Sequence, residues 1–294
     1  MKPDSDRGLI EVWVVDNASS DGSADMVESE FEWVHLIRSA ENLGFGRAVN
    51  AVADRTHAPW IAPANADIEL VGASVEVMLR AADATVGAVA PRLMLPNGEV
   101  QHSVHAFPSI PLALLFALGA YRLPGVGDRL CVEGFWRSDR ARLVDWAHGA
   151  FLLVRREAWE QVGGFDPRQW MYAEDIDLLW RQRRAGWATR YEPAAEVRHA
   201  ASAAAIQAFG DARVERHLLA TYDWLELRRG ALIARAIGAL NATGAVARWI
   251  AFALLRIGRP ARYGDQHRHL SVYLRAHLAG LRGQRPQSSS RPQP

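Results

Sequence analysis

Four short segments carry residues whose types and spacing suit chemistry. The first is Val14-Val15-Asp16-Asn17-Ala18-Ser19-Ser20-Asp21-Gly22-Ser23. Asp16, a carboxylate at the end of a strand, can accept a hydrogen bond from a pyrimidine imide N–H, with the serine hydroxyls and Gly22 shaping the turn. The same residues suit an Asx turn followed by a helix cap. The second is Asn42-Leu43-Gly44-Phe45-Gly46-Arg47-Ala48-Val49-Asn50. Small residues ahead of a helix let its N-terminal amides approach a diphosphate, and Arg47 can add charge. A tight strand-to-helix turn uses glycines in the same way. The third is Asn65-Ala66-Asp67, where Asp67 with an amide or water can hold Mg2+ or Mn2+ while phosphate oxygens complete the shell. A lone Asp after a strand is also an ordinary turn residue. The fourth is Gly163-Gly164-Phe165-Asp166, then Tyr172-Ala173-Glu174-Asp175-Ile176-Asp177-Leu178, with His199 further on. Carboxylates at a helix start complement the helix dipole, and only one is needed as a general base. Asp177 suits pairing with Arg181 one turn on. Glu174 and Asp175, adjacent acids beside a Gly-Gly turn, make a poor cap and a better base. His199 alone reads as a structural residue.

These residues need elements to hold them. Ile10–Val15, Val34–Arg38 and Trp60–Pro63 read as strands, and Met26–Phe31 and Gly46–Arg55 as helices. The alternation predicts an α/β fold whose mostly parallel sheet is covered on both faces, with ligands beyond the carboxyl ends of its strands. Asp16–Ser23, Glu41–Arg47 and Asn65–Glu69 fall at such ends. Phe107–Gly127 reads as a long connection and Trp146–Val154 as a strand. Arg156–Val162 reads as a short helix closed by Gly163-Gly164. Ile176, Leu179, Trp180 and Arg183 form one helical stripe that Gly186 ends. Thr189–Glu192 and Glu196–Arg198 read as two short strands. Beyond Ala200 the pattern is helical and basic, and Gly283–Pro294 has a disordered composition.

The bulk numbers narrow the classes. Of 294 residues, 49% are apolar and 23% charged, as in soluble globular proteins. The single Cys131 excludes an internal disulfide and a cysteine metal site, which fits a reducing, cytoplasmic compartment. Met1–Gly8 lacks the pattern of a signal peptide. Apolar runs such as Ile110–Ala120 are shorter than the roughly 20 residues a bilayer needs, so no membrane-crossing helix is expected. The net charge of +1 hides an asymmetry: residues 198–294 hold 15 basic and 5 acidic groups, against 19 and 28 before them. A basic region of that kind suits an anionic surface. In Ala245–Ile257, Val246, Trp249, Ile250, Ala253 and Leu254 share a face, with Arg248, Arg256 and Arg259 available to headgroups. This predicts a peripheral membrane contact, packing on the rest of the protein being the other reading. No recognised nucleic-acid module is present, so no nucleic-acid partner is expected.

In this order the four segments resemble the family 2 glycosyltransferases of the GT-A fold, in the bacterial rhamnosyltransferase-like branch. The family pattern is V-V-D-N-x-S-x-D-G-S, N-x-G-x-x-x-x-x-N, a D-x-D variant, G-G-F-D and E-D-x-D, then a histidine. The resemblance covers about Ile10 to His199. It implies the GT-A nucleotide-diphospho-sugar transferase fold, with a mostly parallel mixed sheet, in a domain over 1–205; pattern and composition add a basic helical region over 206–282 and a disordered tail over 283–294. Asp16, Asn17, Ser19, Asn42, Gly44, Arg47 and Asn65 would bind the nucleotide-sugar donor. Asp67 and His199 would hold Mg2+ or Mn2+. Asp175 would be the catalytic base with Glu174 beside it, and His148 and Gly149 would line the acceptor site. The implied reaction is inverting transfer of a sugar such as rhamnose to a lipid-linked or cell-envelope glycan. A UDP-hexose or UDP-galactofuranose donor is an alternative. Family members carry a strand and helix ahead of the V-V-D segment, and about ten residues stand there in this chain. The resemblance therefore also predicts an N-terminally truncated domain, with a non-catalytic sugar-nucleotide-binding remnant as the alternative.

Overall fold

The computed structural model describes residues 6, 8–200, 213–258 and 260–284. The chain opens with β1 (Trp13–Asp16), α1 (Ser23–Glu30), β2 (His35–Arg38) and α2 (Phe45–Ala53). Then come β3 (Trp60–Ile61), β4 (Ile68–Leu70), α3 (Ser74–Ala81), β5 (Val86–Met94) and β6 (Val104–His105). The middle holds α4 (Ile110–Ala117), α5 (Val126–Arg129), β7 (Arg142–Val144), β8 (Trp146–Ala147), β9 (Leu153–Arg155) and α6 (Arg156–Val162). It ends with α7 (Glu174–Arg184), β10 (Ala188–His199), α8 (Arg213–Arg229), α9 (Ala231–Gly258) and α10 (Pro260–Leu281).

The fold is α/β with a mixed sheet, as the resemblance implies. The central sheet runs β3-β9-β5-β10-β4, with β7 also on β10, while β1-β2 and β6-β8 form two-stranded sheets. Among the described residues only β1 with β2 and β5 with β10 pair in parallel. The remaining pairs are antiparallel, which corrects the expectation of a mostly parallel sheet. The antiparallel partners are distant in sequence, β9 lying between β3 and β5 and β4 lying against β10, so the local alternation of strands and helices does not foretell them.

Two short strands expected near the end of the sheet are one strand, β10, with a bulge. Glu192 pairs with Pro91 and Glu196 with Arg92, so Pro193, Ala194 and Ala195 are extra. Pro91 has no N–H for the ladder, and a central strand accepts proline at such an irregularity. The odd number of extra residues reverses the side-chain alternation. Tyr191 joins the core beneath α7 and α8, with Trp159, Phe165, Ile176, Leu179 and Trp224. Ala195 and Val197 join the core beneath α3, with Met78, Val89, Leu93 and Leu153. The bulge thus lets one strand serve both layers and carry His199 to its end.

Two further readings are corrected. Phe107–Gly127 is not a plain connection, because α4 forms inside it. Ser109 caps this helix by accepting the Leu112 N–H at 3.3 Å, and Pro111 sits in the first turn, where its missing N–H costs nothing. The stretch Trp146–Val154 is broken into β8 and β9, since β8 pairs with β6 while β9 pairs with β3 and β5.

The basic region folds onto the rest as α8 to α10, and its tail beyond Gln284 lies outside the described residues. Ala231–Leu254 is long and apolar enough to cross a bilayer by length and composition, with mean hydropathy 1.3. The expectation of no such helix fails because polar residues interrupt the apolar run without lowering its mean much.

Candidate active site

The four segments are brought together by a chain of specific hydrogen bonds. Asp16 ends β1 and is 9% exposed. Its Oδ2 accepts the Ser19 N–H, three residues on, at 3.3 Å, so the carboxylate helps hold this turn, while α1 starts after Gly22 with no side-chain cap. Asn17 Oδ1 accepts the Leu43 N–H at 3.3 Å, tying the first segment to the second. Asn42 Oδ1 accepts the Gly44 N–H at 2.9 Å. Gly44 has φ +75°, and a Cβ there would come within 2.7 Å of the Trp170 ring, so conformation and space both require glycine. Asn50 joins the second segment to the fourth, donating to the Phe165 carbonyl at 2.8 Å and accepting the Phe165 N–H at 3.0 Å. Arg47 is exposed and lies 3.6 Å from Glu41.

At the end of β10, His199 is 5% exposed and meets the third segment. Its Nε2 lies 3.2 Å from Asp67 Oδ1 and 3.3 Å from the Asn65 amide nitrogen, and its Nδ1 lies 2.8 Å from Gln101 Oε1. When Nδ1–H donates to Gln101 Oε1, the neutral tautomer turns its Nε2 lone pair toward Asp67. A carboxylate oxygen and an imidazole lone pair facing one another suit a shared cation, with Gln101 fixing the tautomer. Turning the Asn65 amide over would add a third oxygen or nitrogen donor at the same place. No group of three or more His, Cys, Asp or Glu ligands occurs among the described residues, so oxygens of a bound diphosphate would have to complete the shell. The residues present fit a divalent ion on those terms. Nothing in the spacing marks Gln101, a lone glutamine in a loop, as the residue that orients His199.

The fourth segment lies across from this pair. The Asn65 N–H donates to the Ala150 carbonyl at 2.9 Å, setting the Asn65–Asp67 loop beside the His148–Gly149 turn. The Gly149 N–H in turn donates to Asp175 Oδ2 at 2.9 Å. Asp175 Oδ1 accepts the Ile176 N–H at 2.7 Å. These bonds hold Asp175 in one orientation in the first turn of α7. Just ahead of α7, Tyr172 has φ +73°, a left-handed conformation costly for a bulky residue and a mark of a turn held by its surroundings. The His148 ring faces inward, its Nε2 2.9 Å from His105 Nε2, and His105 stacks on Trp146 at 4.4 Å. Burial pushes His148 down to about 3 and His105 well below its ordinary value, so both rings are neutral near pH 7. One proton serves the two facing nitrogens.

Glu174 and Asp175 are half-buried, and burial raises both above the usual carboxylate range. For Glu174 the neighbouring Asp175 charge adds to the rise, whereas for Asp175 the Gly149 and Ile176 amides oppose it. Glu174 Oε2 has no hydrogen-bond partner among the described residues. A folded-state pKa above the unfolded one gives stability that is full below the unfolded value and is lost as pH rises through the folded value. Glu174→Gln removes that loss. It should raise the melting temperature at pH 8 by about a few degrees, and change it little near pH 5. A variant melting below the wild type at both pH values would contradict the raised pKa.

Asp177, the third acid of this turn, has another role. It is fully buried and accepts from Arg181 Nε at 2.7 Å and Arg228 Nε at 2.6 Å. Arg228 also reaches Asp166 of the Gly-Gly-Phe-Asp turn, and Arg168 holds Asp166 well below the usual carboxylate range. Arg181 caps the same turn through the Val162 and Gly164 carbonyls at 2.6 and 2.7 Å. Spacing foretells the Asp177–Arg181 pair, but not Arg228, which arrives from α8.

With this geometry in place, the comparisons with known proteins assign the family. Residues 4–131 match the model described as Glycosyl transferase family 2, and residues 127–216 match Glycosyltransferase like family 2. The fold and sequence are those of a GT-A glycosyltransferase, and the chain belongs to glycosyltransferase family 2. The N-acetylglucosaminyl-diphospho-decaprenol L-rhamnosyltransferase of Mycobacterium tuberculosis is 35% identical over 207 residues, 65% of this chain and 66% of that protein. The match therefore spans just under two thirds of that relative. The Escherichia coli rhamnosyltransferase WbbL is 39% identical over 87 residues, 30% of this chain and 33% of that one. A mannosyltransferase from Pyrobaculum calidifontis, solved with GDP-Man and Mn2+, shares the fold at TM-score 0.57 and 20% identity. That alignment covers 94% of this chain and 79% of the other.

Proposed function

We propose that this chain is a divalent-metal-dependent, inverting rhamnosyltransferase that draws on a pyrimidine nucleoside diphosphate-rhamnose and acts on a diphospholipid-linked sugar. The observation that carries the reading is the pairing of two chemistries across one short bridge. Asp67 and His199 face each other on one side, Asp175 is fixed by Gly149 on the other, and the Asn65–Ala150 hydrogen bond links them. The relatives' names supply the sugar and the lipid carrier.

In this reading Asp16 receives the base imide, and the Asn42–Arg47 loop with the α2 N-terminus receives the diphosphate. Asp67 and His199, with Asn65, would hold Mg2+ or Mn2+, which offsets charge on the departing diphosphate. Asp175 takes the proton of the acceptor hydroxyl, which attacks the anomeric carbon from the face opposite the nucleotide and inverts it. Glu174 keeps its own proton near neutral pH, so Asp175 is the member of the pair free to act as base. Transfer would take place at the cytoplasmic face of the membrane, where a lipid-linked acceptor is presented.

The test is nucleotide release and sugar transfer from dTDP-rhamnose, UDP-glucose, UDP-galactose and UDP-galactofuranose, each with Mn2+, Mg2+ or EDTA. We expect dTDP-rhamnose to be preferred and EDTA to abolish turnover. Asp67→Ala and His199→Ala should each raise the metal concentration needed for half-maximal rate. Turnover that survives EDTA unchanged, or a UDP-sugar preference, would contradict the reading.

A further inference from the structure

The helix α4 and the exposed side of α9 form an apolar platform beside the acceptor side of the site. On α4, Ile110, Leu114 and Leu118 recur at helical spacing and are 41%, 45% and 74% exposed, with Leu123 at 59% just beyond. On α9, Ile250 and Leu254 are 49% and 65% exposed. The opposite face of α9 is spent on protein contacts through Ala234, Ile237, Ala242 and Ala245. The two helices meet closely. Arg248 donates to the Phe116 carbonyl at 2.9 Å, and a Cβ on Gly244 would come within 2.7 Å of Ala117.

Charge and position say what meets this surface. Residues 107–127 and 231–258 contain no Asp or Glu; of their arginines, Arg248 is committed to the Phe116 carbonyl, while Arg122 and Arg235 are exposed. Large exposed apolar side chains with arginine and without carboxylates suit an anionic lipid surface, which offers hydrocarbon to the former and headgroups to the latter. The platform is also tethered to the acceptor turn. Strand β6 pairs Val104 with Ala147 and His105 with Trp146, just ahead of His148 and Gly149. Four residues after β6, Ser109 caps α4. Arg229 holds the intervening Pro108 carbonyl at 2.9 Å.

We infer that α4 and α9 together seat the protein on an anionic bilayer, lying on its surface, with the acceptor turn nearest the lipid. The inference rests on the proposed use of a lipid-linked acceptor, and it adds α4, which the basic C-terminal helices alone would not require.

Flotation of the full chain with phosphatidylglycerol-containing or pure phosphatidylcholine vesicles tests this without any catalytic step. The wild type should float with the anionic vesicles and less so in high salt. Leu114→Glu/Leu118→Glu on α4 and Ile250→Glu/Leu254→Glu on α9 should each weaken partitioning by about tenfold or more. Their melting temperatures and donor nucleotide release without lipid should stay unchanged, because these side chains are 45% to 74% exposed. A wild type that does not float would overturn the inference. An α4 variant that floats like the wild type would do so too, whatever the α9 variant does. Retention through alkaline carbonate would mean that the chain crosses the bilayer. Unchanged flotation with an altered oligomeric mass would make the platform a contact between copies. A donor screen that fails while flotation behaves as expected would sink the proposed reaction and leave the platform standing.

Discussion

Asp175→Asn should lower turnover by roughly 10²- to 10⁴-fold, the range a positioned general base contributes. Nucleotide affinity should hardly change, because Asp175 faces the acceptor turn and not the Asp67–His199 pair. The amide keeps one oxygen for the Gly149 N–H that now meets Asp175 Oδ2, so the local fold should survive. The wild-type pH profile carries a second mark. Burial holds Asp175 above the usual carboxylate value, and the base works only when ionised. The acid limb of kcat should therefore fall well above pH 4, the ordinary carboxylate region being about 3.9 for Asp. Equal losses of nucleotide binding and turnover in Asp175→Asn would remove the assignment. Asp177→Asn offers the contrast, since its side chain is buried between two arginines and its loss should be felt in stability before rate.

The largest structural effect should come from Arg228→Met. It leaves the fully buried Asp177 with Arg181 alone and Asp166 with Arg168 alone. Removing one partner of a buried ion pair costs about 3–5 kcal/mol, because the remaining charge stays out of water. In a chain of this size that lowers the melting temperature by roughly 10 °C. The Asp166 carboxyl is depressed in the folded state, so its share of that stability is present above the unfolded carboxylate value and is lost as pH falls through the folded one. The gap between variant and wild type should therefore narrow in acid. A double-mutant cycle of Arg228→Met with Asp177→Asn should show strong coupling. A single-variant loss below about 1 kcal/mol, the worth of an exposed pair, would contradict the buried network.

The Arg228 network also explains part of the charge asymmetry. The charge count of the basic final third of the chain suits an anionic surface. In the folded protein Arg228 is committed to Asp166 and Asp177, Arg229 to the Pro108 carbonyl and Arg248 to the Phe116 carbonyl. Some of that positive charge is thus spent inside, holding α8 and α9 to the catalytic part.

Local patterns were legible where they rest on local physics. The α6 helix with its Gly-Gly ending and the α7 stripe follow from helical spacing and glycine stops, and both form as read. The pairing of Asp177 with Arg181 follows from one helical turn. What was not legible depends on partners distant in sequence. The bulge in β10 needs Pro91 opposite it, and Pro91 lies about a hundred residues earlier. Gln101 acquires meaning only when β10 carries His199 beside it. Helix α4 was hidden because its prolines read as breakers, while Ser109 and Pro111 together make a good helix start. The four site segments were visible as motifs. That the Asn17 and Asn50 side chains and the Asn65 and Gly149 N–H groups tie them into one site by hydrogen bonds was not.

The most direct measurement is a single reaction followed to its product. The full chain is incubated with dTDP-rhamnose, the diphospholipid-linked N-acetylglucosamine acceptor and Mn2+, and the lipid product is read by mass and by the anomeric signal of its new linkage. We expect one deoxyhexose per lipid, inverted relative to the donor and absent with Asp175→Asn or with EDTA. A product of retained configuration, or one formed equally well by Asp175→Asn, would contradict it.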